Sequence, residues 1–599
     1  MFQSTNCSLL MHLASLSLTV SNGGAFIVQP RHALSTHHPL GPETRSYATV
    51  VNDAAPVPAT VEASITSTSP QERAIEAKKT WSTIALHPTE NRQVCIPLHG
   101  EATVVHNQRL FDEFTSVKGT YFINGLANCQ IGDRLIHPFE AHGYVKSLAF
   151  DGEGQLQFTS RIVETPITKK ELQKNKILNR GVMSTVADMD SIWGNFQNAI
   201  SPMERDTANL TADLWPPPGT KNADNIDPLL IVCTDNGEPY ALDPKTLETK
   251  GRLRDVLPKL QDAFPEGSKC LAHTRYDEAR NRFVMCINTM VIPGDDMMGN
   301  SQMEFIEFDD NFDVVSTREF STRFMVFHDW VLTQNYYVVP KNPAYLRWGN
   351  IAKFSFGQTL GTDVFAMEEE TNGEFILIPR HDPSAVVREI PSDKFFNCFH
   401  FGPAFEDQTQ DELVINGCIF DAYTFGGEMG FNGKSQEFDP MAWGTSGKNP
   451  APRLDQFVID TNTFEIKRKE RVPVIPVDMP NFSGDAKYCK YSYFLGASRP
   501  EGWFPFRQLV KLDLESFESI VYDVGDGQVA SEPMFIARAG AKSEDDGFVI
   551  SIVHNAESKS ARILIWDSLT FGDGPIAECP LGDLIPWCVH GSFYQDYNP

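Results

Sequence analysis

From about residue 95 to the C-terminus the chain repeats one texture: short runs of β-branched and aromatic residues, each stopped by Asp, Asn, Gly or Pro. GYVKSLAFDGEGQLQFTSRIV (143–163), DPLLIVCTDNGEPYALDP (227–244) and DGFVISIVHN (546–555) are typical. Runs that alternate across a pleat and end at residues tolerant of tight turns form strands and hairpins, so an all-β fold is expected. The better helical stretches, DEFTSV (112–117) and PITKKELQKNKIL (166–178), lie between strand groups. So many short strands fit either a string of sandwiches or one β-propeller of four-stranded blades. Sandwiches need linkers between them. The Gly-rich insert FGGEMGFNGKSQEF (425–438) is too short to serve as one, so a single propeller over residues 96–599 is expected.

Composition narrows the function classes. A formal charge of -27 and a pI near 5.0 argue against a nucleic-acid partner, because phosphate binding needs a basic face. No window holds the roughly 18 consecutive apolar residues of a membrane-spanning helix. The 11 Cys carry no C-x-x-C pair, which suggests neither a zinc knuckle nor a disulfide framework. Residues 1–47 read as a targeting leader, with no Asp or Glu before Glu43, an apolar stretch LLMHLASLSLTV (9–20) and a small-residue segment before Phe26. This order resembles two-part plastid leaders. Arg45-Ser46-Tyr47-Ala48 resembles a matrix-processing site and makes the mitochondrion the alternative. Residues 48–95 read as a linker and N-terminal extension.

The apolar run FMVFHDWVLTQNYYVVP (324–340) carries His328 and Asp329 side by side. An imidazole and a carboxylate in a low-dielectric interior cost free energy unless each finds a partner. Three further histidines share that setting: His273 in CLAHTRYDE, His400 in FNCFHFGPAFED and His590 in IPWCVHGSF. Innermost strands of different blades can deliver four imidazoles to one point, and neutral imidazole suits Fe, Zn, Cu and Ni. Spacing alone leaves the alternative of four unrelated core contacts open. Asp329 reads as a strand cap, His137 and His142 as solvated turn residues, and Glu544-Asp545-Asp546-Gly547 as a hairpin turn. His99-Gly100-Glu101 is the one H-x-E and lacks a companion His in context for a facial triad.

These four contexts resemble the carotenoid cleavage oxygenase family: A-H-x-x-x-D at His273, F-H-D-[FW]-x-x-T-x-N-Y at His328, F-H-x-x-x-A-F-E at His400 and P-x-x-x-H-G at His590. Gly119-Thr120-Tyr121-Phe122-Ile123-Asn124-Gly125, Asp206-Thr207-Ala208-Asn209, CTDNGEPYALDPKTLET (233–249) and SEPMFIARAG (531–540) extend the likeness over roughly residues 115–595. The resemblance implies a seven-bladed propeller with a few helices capping one face. It implies Fe(II) on the axis, held by His273, His328, His400 and His590. Three of these imidazoles would be braced by acidic residues, two of them Asp235 and Glu532. The third acid position aligns with Val474, leaving one ligand to water or to Asp478.

Other departures are Asp235 where Glu is usual, Pro403 for Asn, and Phe139-Glu140-Ala141-His142-Gly143 for F-D-G-D-G. The activity implied is O2-dependent cleavage of a conjugated C=C bond of a carotenoid or apocarotenoid into two carbonyl products, in a tunnel lined by Phe, Trp and Met, with peripheral contact to a membrane. The alternatives are a stilbene-cleaving oxygenase, in which Lys146 would help hold a phenolate, a retinoid isomerase-like member, and a non-catalytic apocarotenoid-binding propeller.

Overall fold

The computed structural model describes residues 69–599, apart from positions 204, 219, 221–225, 236, 292–298, 343, 369, 424–427, 440–450, 483–488 and 498–503. The leader and residues 48–68 of the proposed linker and extension lie outside the described residues.

Seven antiparallel sheets form a β-propeller. Blades 2 to 6 begin on the strands Thr211–Trp215, Arg275–Asp277, Val331–Leu332, Asn397–Asp407 and Val477–Phe482, and each adds three more strands in chain order. Blade 7 runs from Gln528–Ala530 to Ala577–Asp583 and takes Thr103–Val104 at its far edge. Blade 1 is closed by the two chain ends. The last strand, Cys588–Gln595, pairs with Lys118–Ala127, with Tyr121 opposite Phe593. At the other edge of that sheet Arg92–Pro97 pairs with Gln155–Ile162, so the propeller begins before residue 96. Closing the ring removes free sheet edges at the seam.

The hairpins show why the strand texture repeats. Asp243, Asp460, Asp513 and Asn555 each open a short loop in which one side-chain oxygen accepts two backbone N–H groups, for example Asn462 and Thr463 at 2.8 Å each on Asp460. The fifth residue of each loop then turns left-handed: Leu247 at φ 57°, Phe464 at 58°, Phe517 at 60° and Lys559 at 52°. The side chain replaces a backbone turn acceptor, which offsets the cost of the left-handed residue.

The helical stretch expected at 112–117 forms at Gln108–Phe114, and the one at 166–178 forms at Pro166–Lys174 with Asn175 left-handed as its cap. The expected linker is structured from residue 69. Pro70–Ala85 is a helix with a reciprocal cap, in which Ser69 N donates to Glu72 and Glu72 N donates to Ser69. Its apolar residues Ala74, Ala77, Trp81 and Ile84 recur at helical spacing and are buried. Trp81 meets Phe504 edge-on at 4.4 Å and lies 6.2 Å from Trp587. With the ribbon Phe431–Asn432/Glu437–Phe438 and the helix Trp348–Ser355, it joins an apolar cap whose cluster includes Ala272 and Val589, neighbours of His273 and His590.

Candidate metal centre

Four blades each present one histidine on or beside the innermost strand: His590 from blade 1, His273 from blade 3, His328 from blade 4 and His400 from blade 5. Radial packing brings the four together, and one ring nitrogen from each lies within 4.8 Å of all the others. Ring centroids are 4.6 Å apart for His273 and His328, 4.6 Å for His273 and His590, and 5.0 Å for His400 and His590.

The other three blades supply carboxylates. Asp235 of blade 2 lies 2.5 Å from His328 Nδ1, Asp478 of blade 6 lies 2.7 Å from His400 Nδ1, and Glu532 of blade 7 lies 3.0 Å from His590 Nδ1. Each carboxylate accepts the Nδ1 proton, which leaves the Nε2 lone pair directed at the shared centre. Among the described residues, His400 Nε2 is buried and has no hydrogen-bond partner. His273 and His328 approach Nε2 to Nε2 at 2.9 Å.

The expectation for Val474 is corrected. Its side chain is buried among Cys418, Leu454, Phe494 and Val510, in the core between blades 5 and 6. Asp478 takes the bracing position because the strand Val477–Phe482 is irregular between Asp478 and Asn481, where Met479 turns left-handed at φ 54°. The set of three acids is complete.

Burial sets the electrostatics. It pushes the imidazole of His273 well below its ordinary value and lowers that of His400, which Asp478 partly offsets. Burial also opposes charge on His328, but the Asp235 carboxylate outweighs it and holds that imidazole above the usual value. Burial thus favours the neutral, nitrogen-donating form at His273 and His400.

Asp329 is not one of the donors. It accepts from Trp330 N at 2.7 Å and Phe401 N at 2.9 Å and pairs with Arg275, tying blades 3, 4 and 5 together beside the centre. His137 and His142 are fully buried, contrary to the solvated reading. His142 Nε2 bonds Glu171 at 3.0 Å, and Arg205 completes that pair from 2.8 Å. His99 is exposed and lies 4.0 Å from Asp112, away from the cluster. Asp545 and Asp546 are occupied by Lys511 and Arg538.

Lys146 does not face the centre. It projects into the core between blades 1 and 7, close to Cys588 and Tyr144, so the phenolate-holding role considered for it has no support in the geometry.

The two sides of the centre differ. A cavity of about 330 Å³ reaches His273, His400 and His590 and is lined by polar groups, among them Asp213, Thr274, Arg275 and Ser592. Asp213 is engaged there by Ser592 and Thr274, each at 2.7 Å. On the capped side Phe399 stacks on His328 at 4.6 Å, and Phe139 and Tyr423 stack on Phe399 in turn. None of these rings is singled out for a role by the sequence, although Phe399 directly precedes His400.

The comparisons bear on this arrangement. Residues 115–595 match the family model described as Retinal pigment epithelial membrane protein. The chain is 25% identical over 488 residues to the apocarotenoid-15,15'-oxygenase of Synechocystis, covering 80% of this chain and 91% of that protein. It is 24% identical over 550 residues to the chloroplastic carotenoid cleavage dioxygenase 7 of Oryza sativa, covering 80% and 86%. Among solved structures, cobalt-substituted Synechocystis ACO superposes with a TM-score of 0.71 at 21% identity, covering 86% of this chain and 99% of that one.

Proposed function

Because the chain belongs to the retinal pigment epithelial membrane protein family, which is the family of the carotenoid cleavage oxygenases, we propose that it is a non-haem Fe(II) dioxygenase. In this reading it cleaves one conjugated C=C bond of a carotenoid or apocarotenoid into two carbonyl products. The observation that carries the reading is the division of labour among seven blades, four giving an imidazole and three giving a carboxylate that orients one.

His273, His328, His400 and His590 would hold the metal through Nε2, and the orphaned, buried Nε2 of His400 is the kind of atom such an ion satisfies. Fe(II) bound there would supply the O2 chemistry that the protein's own side chains lack. Asp235, Asp478 and Glu532 fix tautomer and ring orientation. Phe399, with Phe139 and Tyr423 behind it, offers an aromatic wall on the capped side against which a flat polyene can lie. Buried apolar residues of the cap exclude water from that side.

Substrate would arrive from lipid. The helix Ile192–Ile200 exposes Ile192, Trp193, Phe196 and Ile200, at 92%, 67%, 51% and 66%, and Gly357 packs against it so that exposed Phe356 stands alongside. Such an apolar face suits shallow insertion into a membrane surface. The leader over residues 1–47 directs the chain to a plastid in this reading, and a fluorescent fusion of that segment reports on it directly.

The deciding experiment measures metal content, O2 uptake and products with β-carotene, an apocarotenal and resveratrol. Iron near one per chain and two carbonyl fragments from a polyene are expected. Iron-loaded protein that consumes no O2 with any of the three would defeat the proposal, and cleavage of resveratrol alone would assign the stilbene class.

A further inference from the structure

Among the described residues, Lys146 is a buried lysine with no carboxylate partner. The side chain is fully buried on the strand His142–Asp151, and among the described residues Nζ has no hydrogen-bond acceptor. A nearby imidazole is already committed. His554, also fully buried, bonds Ser531 at 3.0 Å and the Ile585 carbonyl at 3.1 Å. What Nζ does meet is the ring of Tyr144, at 4.7 Å, and the thiol of Cys588.

That meeting spans three strands. Lys146 and Cys588 lie on opposite sides of Lys118–Ala127, and the residue between them is Gly125, paired with Cys588. A Cβ on Gly125 would collide with Lys146 Nζ and with the Trp587 carbonyl and would come within 3.2 Å of Cys588 Cα. The absence of a side chain at 125 is what lets the lysine reach across the middle strand. Cys588 is itself fully buried, and its sulfur makes a weak contact, 3.7 Å, to the Pro586 carbonyl and lies near Ser531 and Lys146. An unpaired amine in a dry core costs free energy that an apolar residue of similar length would not.

We propose that Lys146 and Cys588 form a covalent Nζ–O–Sγ bridge, with dioxygen as the oxidant. The step is amine plus thiol plus O2 giving the bridge and one water. N–O and S–O bonds form while the O–O bond, one N–H and the S–H break. Sulfur and nitrogen each give up two electrons, and the four electrons reduce one oxygen atom to the bridge and the other to water. Burial shifts the Lys146 amine toward its neutral form, in which the nitrogen lone pair is available. O2 is small and apolar enough to enter a packed core that excludes larger oxidants. The bridge would staple the strand His142–Asp151 to the strand that presents His590.

The test is peptide mass analysis of the full-length protein, kept in air-saturated buffer and digested with and without dithiothreitol. The expected result is a cross-linked pair of peptides containing residues 146 and 588, heavier than their sum by one oxygen less two hydrogens and separated by the reductant. The pair should be absent from Lys146→Met and from Cys588→Ser. Recovery of both residues unmodified would overturn the proposal, as would oxygen on Cys588 with Lys146 free, or a cross-link that persists in Lys146→Met. The principal readout is on the wild-type chain, so a variant that folds poorly does not remove the test.

Discussion

His400 Nδ1 lies 2.7 Å from Asp478, and both side chains are buried. This contact completes the set of three braced imidazoles and makes Asp478 the positioning residue of blade 6. Asp478→Ala should weaken iron binding by about 10–100-fold, as loss of such a partner typically does. Val474→Glu should leave iron affinity unchanged and cost on the order of 3 kcal/mol of stability, because it puts a carboxylate among apolar side chains. Chelator competition and denaturant titration on both variants separate the two roles. Equal iron loss in both would return Val474 to the site.

His328→Ala should bring bound iron to background and abolish O2 uptake while the unfolding transition persists. The side chain is one of four donors, and its removal leaves Asp235 with the bond from Ala272 N but without its imidazole partner. Full iron occupancy in the variant would remove His328 from the donor set.

Acid stability should depend on Glu171. Burial alone would raise this carboxyl, but bonds from His142 and Arg205 outweigh it and hold it at about 2, against 4.5 for a free Glu. A folded-state value below the unfolded one adds stability that is present above pH 4.5 and is lost as pH falls toward 2. Its size is about 3 kcal/mol at neutral pH by the usual linkage. Glu171→Gln should therefore lower stability at pH 7 and flatten its dependence between pH 4.5 and 3. Parallel pH profiles for the two proteins would show that Glu171 carries no linked proton.

Trp81→Ala should cost about 3–5 kcal/mol, the range for truncating a large buried aromatic. Thermal unfolding reads this directly. A change below about 1 kcal/mol would mean that the helix Pro70–Ala85 is only loosely docked.

Replacing Trp193 and Phe196 together by Asp should reduce co-sedimentation with phosphatidylcholine vesicles by at least about tenfold, since the two stacked rings lie on the exposed face of their helix. Turnover of a detergent-solubilised substrate should change little. Unaltered vesicle binding would place the membrane contact elsewhere.

Sequence alone determined the local features of this protein. Strand texture and hairpin turns are written in side-chain alternation and in loop residues such as Asp460, whose oxygen organises its own loop within three positions. The four histidines are legible for the same reason, each sitting in a short motif that its own blade can present.

Tertiary structure decided what joins different blades. Asp478 and His400 are 78 positions apart, Asp235 and His328 93, and Glu532 and His590 58. Which acid meets which imidazole depends on how neighbouring blades pack and on one strand irregularity that turns Asp478 toward the axis. Trp81 looked like part of a linker because its helix is stabilised mainly by the core it docks against. Lys146 looked like a substrate contact because a sequence does not say which side of a sheet faces the axis and which faces the next blade; only closure of the ring sets that.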